Sequence, residues 1–276
     1  MFGEGGPLLK YAREKGLKVI VDCYISPMTF DILQAEQSKY PDLEPMMPSL
    51  VVERGRKHFD EICEVANYFT APSEFVKKGL QQFGVSDDRI IKVPYFVDES
   101  WMHLKTFPKK GKILFVGTAE LRKGIHILGM AASSLSYYNY EFRIAGDFSK
   151  QAYNHELMQN LKFLGRIPRS EIFKEYAQAD IFVFPSLSEG SASVTYEALG
   201  AGIPVIATEA AGSVVRDGME GFIIPERDSK ALAHCIKDLV ENRELRDRMS
   251  AAAKQRAQDY TWEKYEQRLL SVFNSI

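Results

Sequence analysis

Short apolar runs alternate with amphipathic stretches along most of this chain. Nine runs rich in Val, Ile and Phe are bounded by turn residues and predict β-strands. Between them the apolar positions follow a helical period, as in residues 48–66, where Val52, Phe59 and Ile62 share one face. The alternation predicts parallel sheets assembled from βα units. The predicted strands lie at 17–24, 67–73, 89–95, 112–118, 140–146, 162–166, 180–186, 203–208 and 221–225.

Two serines stand where helices are predicted to begin. Ser73 heads the segment SEFVKKG, and Ser170 heads the segment SEIFKEY. A serine hydroxyl at this position accepts a hydrogen bond from an unpaired amide of the first helical turn. We therefore interpret Ser73 and Ser170 as helix caps rather than as catalytic nucleophiles.

The segment between residues 98 and 111 interrupts the alternation. Its sequence DESWMHLKTFPKKG combines charged residues with Pro108 and Gly111, which is typical of a linker between domains. We therefore predict two α/β lobes followed by a helix that packs back toward the first lobe. Their predicted limits are 1–105 for the first lobe, 106–261 for the second and 262–276 for the final helix.

The two predicted lobes differ in their number of strands. The second contains six, whereas the first contains three, which is few for a doubly wound lobe. The chain also opens on GEGGPLLKYAREKG, which predicts a glycine-rich turn and a helix of the kind that follows a strand. We therefore expect the first lobe to be truncated, with earlier βα units absent from this chain.

The charge balance restricts the partners that this protein can bind. The chain has 35 basic and 37 acidic residues and a formal net charge of −2. Such a mixture gives no field that attracts nucleic acid, so we expect no nucleic-acid partner. Any site for an anion must therefore be local.

The lengths of the apolar runs and the spacing of the cysteines indicate the cellular compartment of the protein. No apolar run approaches the roughly 18 residues that span a bilayer, and the N-terminus lacks the apolar core of a signal peptide. Cys23, Cys63 and Cys235 lie far apart without metal-ligand spacing, which is typical of a reduced cytosolic protein. We expect a cytoplasmic location and leave open a peripheral contact at the inner face of a membrane.

Residues 181–202 run from an apolar strand through a Ser- and Gly-rich loop into a helix predicted to begin near Ser191–Ala192. This arrangement directs free backbone amides beyond the end of the strand. The amides of Gly190, Ser191 and Ala192, with the positive end of the helix dipole, predict an anion site. Gly190 allows a ligand to approach the backbone closely.

Two carboxylates flank this element, Glu189 in the loop and Glu197 about two turns along the helix. Because they cannot reach the same atom, the pair suits an extended ligand with hydroxyl groups at both ends. A solvated loop glutamate and an exposed helix glutamate explain the same spacing. Spacing alone favours this second interpretation.

The sequence around this pair resembles retaining glycosyltransferases of family 4 (glycosyl transferases group 1). Their signature is Glu-x7-Glu, to which EGSASVTYE at 189–197 is similar. The resemblance spans residues 110 to 270 and implies an α/β fold of GT-B architecture, with two Rossmann-like doubly wound lobes facing a cleft and the first lobe incomplete. Further matching segments follow in the family's order: FVGTAELRKG at 115–124, IAGD at 144–147, FLGRI at 163–167, ALGAGIPVIAT at 198–208 and GMEGF at 218–222.

The resemblance implies a catalytic group of Glu189, Arg122 and Lys123. Arg122 and Lys123 would hold the diphosphate of a nucleotide-sugar donor, and Glu189 would meet the hydroxyls of the transferred sugar. A departing nucleoside diphosphate gains negative charge, and preorganised cations stabilise that charge most strongly in the transition state. The physical chemistry therefore agrees with the implied roles.

The resemblance also implies which residues bind the rest of the donor. Glu197 would take the ribose hydroxyls, and the backbone at Arg166 and Ile167 would lie along the base. The implied donor-binding residues are Gly117, Thr118, Arg166, Ile167, Gly190, Ser191, Ala192 and Glu197.

One position departs from the family pattern. Many members have Arg directly after the glycine that matches Gly117, where this chain has Thr118. Arg122 could replace that cation, because a guanidinium can chelate phosphate oxygens with two donors. No Asp-x-Asp motif is present, so we expect neither a metal ion nor another cofactor.

Fewer residues of the first lobe, which binds the acceptor in this family, can be matched to the family pattern. The family has a glycine-rich loop and a polar residue, commonly His, near the interlobe cleft, and neither can be assigned here. Asp22 is the nearest acceptor-side candidate, because the carboxyl ends of parallel strands line such crevices. A carboxylate that caps a βα turn explains Asp22 equally well.

The expected activity is transfer of a hexose-type sugar from a nucleotide-diphosphate sugar to a hydroxyl of a glycan or lipid-linked glycan. The resemblance implies retention at the anomeric carbon. The alternative is a nucleotide-sugar-binding module or inactive subunit, because a truncated first lobe would leave the acceptor site incomplete.

Overall fold

The computed structural model describes residues 6–276, and the first of its two sheets is small. Its parallel strands have the order β1-β2-β3. Phe59, Phe69 and Leu80 are buried in the core that this sheet forms with its helices. The glycine-rich turn predicted at the start of the chain lies largely outside the described residues. The strands are β1 Ile20–Asp22, β2 Tyr68–Ala71 and β3 Ile90–Lys92.

The second sheet has six parallel strands in the order β6-β5-β4-β7-β8-β9. They are β4 Lys112–Val116, β5 Glu141–Ala145, β6 Leu161–Gly165, β7 Ile181–Phe184, β8 Val205–Thr208 and β9 Gly221–Ile224. The strand order changes direction between β4 and β7. In open parallel sheets a ligand binds outside the carboxyl ends of the strands at such a switch point.

Helices flank both sheets, and none that the structure describes is long and apolar enough to cross a membrane. Short 3-10 turns connect several of them, including Leu121–Lys123 and Glu209–Ala211. The α-helices are α1 Gly6–Glu14, α2 Thr29–Lys39, α3 Ser49–Val65, α4 Glu74–Gln82, α5 Glu99–Met102, α6 Ile125–Ser134, α7 Lys150–Asn154, α8 Arg169–Gln178, α9 Ser193–Gly200, α10 Ser229–Glu241, α11 Arg243–Ala257 and α12 Trp262–Ser275.

The secondary structure confirms the apolar pattern. All nine predicted strands are present, and the helix predicted at 48–66 is α3, which buries Val52, Phe59 and Ile62. Strands β7 and β8 are buried throughout, as expected for central strands with helices on both faces. The α/β class with parallel sheets is therefore confirmed.

One of the two predicted helix caps is confirmed and the other is wrong. Ser73 caps α4, because its hydroxyl accepts a hydrogen bond from the Val76 amide. Ser170 does not cap α8, which begins one residue earlier, directly after Pro168. Proline fixes a backbone angle suited to a helix start, so it moves the boundary and leaves Ser170 inside the first turn.

The segment 98–111 contains α5 and lies against the second lobe. Trp101 of α5 is 3% exposed, and its ring lies 4.3 Å from that of Phe173 and 4.6 Å from that of Tyr176. A Cβ on Gly200 would lie 3.0 Å from the Trp101 side chain, so α9 also packs closely against α5. This packing fixes the start of the second lobe to α8 and α9.

The final helix, α12, contacts the chain just after β3. Its Arg268 donates hydrogen bonds to the carbonyl oxygens of Pro94 and Tyr95. Its Tyr265 ring lies 5.2 Å from the ring of Phe96. The helix begins at Trp262, after Thr261, whose side chain caps it.

Candidate functional site

The turn after β4 carries two cations to the carboxyl edge of the second sheet. It is the 3-10 turn Leu121–Lys123, which ends at Gly124 with a φ of 73°. A side chain at Gly124 would overlap the carbonyl oxygen of Pro185, which follows β7. Glycine is therefore required both for the left-handed backbone and for the close approach to β7.

The Arg122 guanidinium is bound by protein groups. It donates to the Glu120 carboxylate at 2.6 Å and to the Ser188 carbonyl oxygen at 2.9 Å, and it lies 2.9 Å from Glu189 Oε1. Burial lowers the pKa of Arg122, but the charges of Glu189 and Glu120 outweigh this effect and raise it. Arg122 therefore holds the loop that carries Glu189.

Lys123 lies across the end of β4. Its Nζ atom is 4.0 Å from Glu189 Oε1, and a Cβ on Gly117 would lie 3.1 Å from the same Nζ. Gly117 has a φ of 147°, which also favours glycine. Within the described residues the Lys123 ammonium donates no hydrogen bond, so it is available to an anion at the strand end.

Glu189 has a carboxylate oxygen without a hydrogen-bond partner. Its Oε1 atom is buried, and its contact with Arg122 has ion-pair distance without hydrogen-bond geometry. A buried acceptor left unpaired costs about 1–3 kcal/mol. The charges of Arg122 and Lys123 offset part of that cost, and a donor hydroxyl on a ligand would complete the site.

The loop before α9 is held by the residues after β8. The Glu189 and Ala192 amides donate to the carbonyl oxygens of Ala210 and Ala211, at 2.8 and 3.0 Å. Helix α9 begins at Ser193, one residue after the start predicted near Ser191–Ala192. The amide of Ala192 is therefore already bonded within the protein and does not face a ligand as expected.

Ser191 and Gly190 are also engaged by the protein. The Ser191 hydroxyl donates to the Gly212 carbonyl oxygen at 2.7 Å and lies 2.9 Å from the Tyr196 hydroxyl. A side chain on Gly190 would overlap the Tyr24 carbonyl oxygen. The close approach expected of a ligand at Gly190 is thus made by the backbone of the first lobe.

Glu197 lies on α9 and faces a cavity of about 590 Å³. The Tyr176 hydroxyl donates to Glu197 Oε2 at 2.8 Å. Burial raises the pKa of Glu197, and the hydrogen bond from Tyr176 and the charge of Arg169 only partly oppose this. A buried carboxylate beside a cavity is well suited to accept hydroxyl hydrogens from a ligand.

The cavity extends to the carboxyl end of β4. Val116, the last residue of β4, lines the cavity, and the next residue is Gly117, over which Lys123 lies. Ile167, predicted near the base, also lines the cavity, whereas Arg166 and Thr118 are exposed beside it. The structure thus brings Glu197, Ile167 and Lys123 to one edge of the sheet.

Asp22 lies at the end of β1, as the sequence predicts. Its carboxylate accepts a hydrogen bond from the Thr70 hydroxyl at 2.6 Å. Burial raises the pKa of Tyr95, a residue that lines the cavity, and the charge of Asp22 raises it further. Asp22 is therefore near the first-lobe side of the cavity.

Sequence reasoning missed several residues that line the cavity. They come from the segment after β3 and from the start of α8, and they are Tyr95, Phe96, Val97, Asp98, Trp101 and Arg169. The aromatic residues in an otherwise charged stretch are the one signal that could have indicated them. The prediction that residues 98–111 form a linker did not indicate that Asp98 and Trp101 line a pocket.

The family comparison identifies the chain. The sequence model of the family described as glycosyl transferases group 1 matches residues 99–256, which is more than half of the chain. The chain belongs to this family. The second-lobe residues of the candidate site, from Gly117 to Glu197, lie inside the matched region.

Curated relatives of this group 1 chain are glycosyltransferases. A phosphatidyl-myo-inositol mannosyltransferase from Mycobacterium leprae is 28% identical over 203 residues, which cover 70% of this chain and 52% of the relative. A D-inositol 3-phosphate glycosyltransferase from Corynebacterium urealyticum is 28% identical over 187 residues, which cover 61% of this chain and 44% of the relative. The chain thus spans about half the length of the curated relatives it matches.

Solved structures confirm the GT-B architecture of the group 1 chain. Sucrose-phosphate synthase from Thermosynechococcus elongatus superposes with a TM-score of 0.78 at 18% identity, covering 98% of this chain and 71% of that one. The Anabaena protein Alr3699/HepE, solved with UDP and glucose, superposes with a TM-score of 0.72 at 19% identity, covering 97% and 74%. At these identities the likeness concerns the fold.

Proposed function

We propose that this chain transfers a hexose-type sugar from a nucleoside-diphosphate sugar to a hydroxyl of a glycan or lipid-linked acceptor, with retention at the anomeric carbon. The bond between the anomeric carbon and the β-phosphate oxygen breaks, and a bond to the acceptor oxygen forms. The acceptor proton passes to the departing diphosphate. The observation that carries the proposal is the Lys123 ammonium, which donates no hydrogen bond within the described residues and lies over Gly117, next to Val116 of the cavity that Glu197 also lines.

Lys123 is the proposed diphosphate ligand. The departing diphosphate gains charge as the sugar–oxygen bond breaks, and a fixed ammonium stabilises it without the reorganisation that water requires. No metal ion is needed for this role. Arg122 contributes by holding Glu189, because its guanidinium is already bound to Glu120 and the Ser188 carbonyl oxygen.

Glu189 is the proposed sugar ligand, and Glu197 is the proposed ribose ligand. The buried Oε1 atom of Glu189 supports the first role, because it has ion-pair contacts but no hydrogen bond, and a sugar hydroxyl would supply one. The cavity beside Glu197 and Ile167 supports the second. The Anabaena relative with UDP and glucose supports a donor of the same chemical class.

Turnover of defined donors tests the proposal. The purified chain is incubated with UDP-glucose, ADP-glucose or GDP-mannose and with glycan or lipid-linked acceptors, and release of the nucleoside diphosphate is measured. We expect one donor to be consumed with acceptor, and NMR of the product to show the anomeric configuration of the donor. An inverted product would contradict retention.

The second candidate function is binding of a nucleotide sugar without transfer. It is favoured by the contact of the Tyr24 backbone with Gly190, which closes the loop beside Glu189 from the first lobe. Tight binding of a nucleoside diphosphate without consumption of any donor would support this candidate over the enzyme. Consumption of a donor would exclude it.

A further inference from the structure

A segment of the first lobe crosses to the second lobe and contacts the turn that carries Lys123. This crossing segment, residues 29–47, consists of α2 and the chain that follows it. Leu33 and Leu43 of the segment belong to the apolar core of the second lobe. Helix α2 packs directly against the turn Leu121–Lys123. The crossing segment is therefore attached to the second lobe at the candidate site.

Glu44 of the crossing segment caps this turn. Its Oε2 atom accepts a hydrogen bond from the Leu121 amide at 3.0 Å. The first amides of a helical turn lack partners within the turn, and the residue just before it normally supplies an acceptor. Here that residue is Glu120, whose carboxylate is bound to Arg122 and gives no cap. Glu44 supplies the missing acceptor from the other lobe.

Gln37 holds Glu44 in place. Gln37 is 2% exposed; its Nε2 atom donates to Glu44 Oε1 at 2.9 Å, and its Oε1 atom accepts from the Met47 amide at 2.8 Å. The Gln37 side chain thus connects α2 to Glu44 and to Met47 in the chain that follows the helix. Because the nitrogen and the oxygen of this buried side-chain amide each have a hydrogen-bond partner, Gln37 is held in one orientation.

We infer that Glu44 is a positioning residue for Lys123, and that Gln37 positions Glu44. The inference rests on the proposed function of Lys123 as a diphosphate ligand. Because Lys123 lies two residues after the capped amide, loss of the cap loosens the turn and moves the ammonium away from Gly117. The first lobe thereby sets how strongly the second lobe binds a diphosphate.

A swap of the two side chains tests this inference. Both Glu44 oxygens accept hydrogen bonds, so in Glu44→Gln one N–H donor must face the new amide nitrogen instead of an oxygen. In Gln37→Glu two carboxylates face each other. In the double variant Gln37→Glu/Glu44→Gln the three hydrogen bonds can all form again, with the donor and acceptor exchanged between the two side chains. Glu53→Gln, at an exposed position of α3, is the matched control.

The quantity measured is the ratio of the Kd of a nucleoside monophosphate to that of its diphosphate. The probes are UMP with UDP, AMP with ADP, and GMP with GDP, and the pair with the tightest diphosphate is used. We expect each single variant to lower the ratio about five- to tenfold, as for a lost cap. The double variant and Glu53→Gln should stay within about twofold of the wild type.

The outcomes separate the inference from the proposed function. If the wild type binds no diphosphate more tightly than its monophosphate, the proposed function fails. If the wild type shows the preference and both single variants keep it, the inference alone fails. A purely structural role would lower the melting temperature of the single variants and leave the Kd ratio unchanged. Failure of the double variant to recover the ratio would also overturn the inference.

Discussion

The two ends of the candidate site are built differently. At the Glu189 end, Arg122 is bound to Glu120 and to the Ser188 carbonyl oxygen, and the amides of Glu189 and Ala192 are bonded within the protein. At the Glu197 end, one hydrogen bond from Tyr176 holds the carboxylate beside a cavity of about 590 Å³. One end is fixed by polar contacts, and the other offers space.

The difference suits the two tasks that the site must perform. Charge that develops during a reaction is stabilised best by groups that are already fixed and desolvated. A nucleoside needs a cavity and a few polar groups that select its orientation. We therefore propose that sugar transfer occurs at the fixed end and that the nucleoside of the donor binds at the open end.

The largest predicted effect is at the fixed end. Lys123→Ala should lower the rate of sugar transfer about 10²–10³-fold, as for the loss of one preorganised group that stabilises developing charge. Steady-state kinetics with the accepted donor measure the change. Lys105→Ala, at an exposed position before the second lobe, should leave the rate unchanged. A Lys123→Ala rate within threefold of the wild type would contradict the assignment.

The second prediction concerns the closure of the first lobe over the fixed end. Glu36 of α2 is buried and binds His126 at 3.1 Å and Arg227 at 2.7 Å, with Lys39 at 3.8 Å. Burial alone raises the pKa of Glu36, but hydrogen bonds from His126 and Arg227 outweigh it and lower the pKa to about 2. A carboxyl with a lowered pKa stabilises the fold above its ordinary pKa and loses this effect as the pH falls.

Glu36→Gln should therefore lower the free energy of unfolding by roughly 3 kcal/mol at pH 7. The gap to the wild type should shrink as the pH falls from about 4.5 toward 2, because over this range the carboxyl is protonated in the unfolded state while it is still ionised in the folded state. Urea denaturation at pH 7, 5, 4 and 3 measures the gap. A gap that stays constant over this range would show that the charge of Glu36 does not hold the lobes together.

The third prediction concerns the open end. Glu197→Gln should weaken nucleotide binding about tenfold, because an amide is a poorer acceptor for ribose hydroxyls than a carboxylate. The wild type should also lose affinity as the pH falls through the raised pKa of Glu197, whereas the variant should not. Calorimetric titration with the bound nucleoside diphosphate between pH 8 and 5 measures both effects. Equal pH dependence in the two proteins would exclude Glu197 as the titrating group.

The smallest predicted effect is at a contact between the lobes beside the fixed end. The Thr29 hydroxyl lies 2.7 Å from the Ser188 hydroxyl and donates to the Ser26 carbonyl oxygen. Thr29→Val should lower the free energy of unfolding by about 1 kcal/mol, since the shape is kept and the two buried hydrogen bonds of the Thr29 hydroxyl are lost. Urea denaturation measures it. A decrease in the free energy of unfolding of more than about 3 kcal/mol would show that this hydrogen bond dominates the packing between the two lobes.

The sequence predicted the elements better than the contacts between lobes. Buried strands such as β7 need a short apolar run, and this signal is local. Ser73 is also a local signal, whereas Ser170 was misread because Pro168 sets the helix start instead. The cavity beside Glu197 and Ile167 agrees with the residues that the family resemblance indicated.

Long-range packing could not be predicted in the same way. Gln37 lies in α2 and Glu44 in the irregular chain after it, and nothing in the local sequence indicates that this segment crosses to the other lobe. Nor does a charged linker show that Trp101 is buried against α8. The amide of Ala192 was expected to be free, and only the packing of Ala211 reveals its partner.

The most direct test of the two-ended site is one set of titrations. Wild type, Lys123→Ala and Glu197→Gln are titrated with the nucleoside diphosphate that binds most tightly and with the matching monophosphate. We predict that Lys123→Ala weakens diphosphate binding and leaves monophosphate binding unchanged, whereas Glu197→Gln weakens both by the same factor. Equal weakening of both ligands by both variants, or of neither ligand by either variant, would contradict the account.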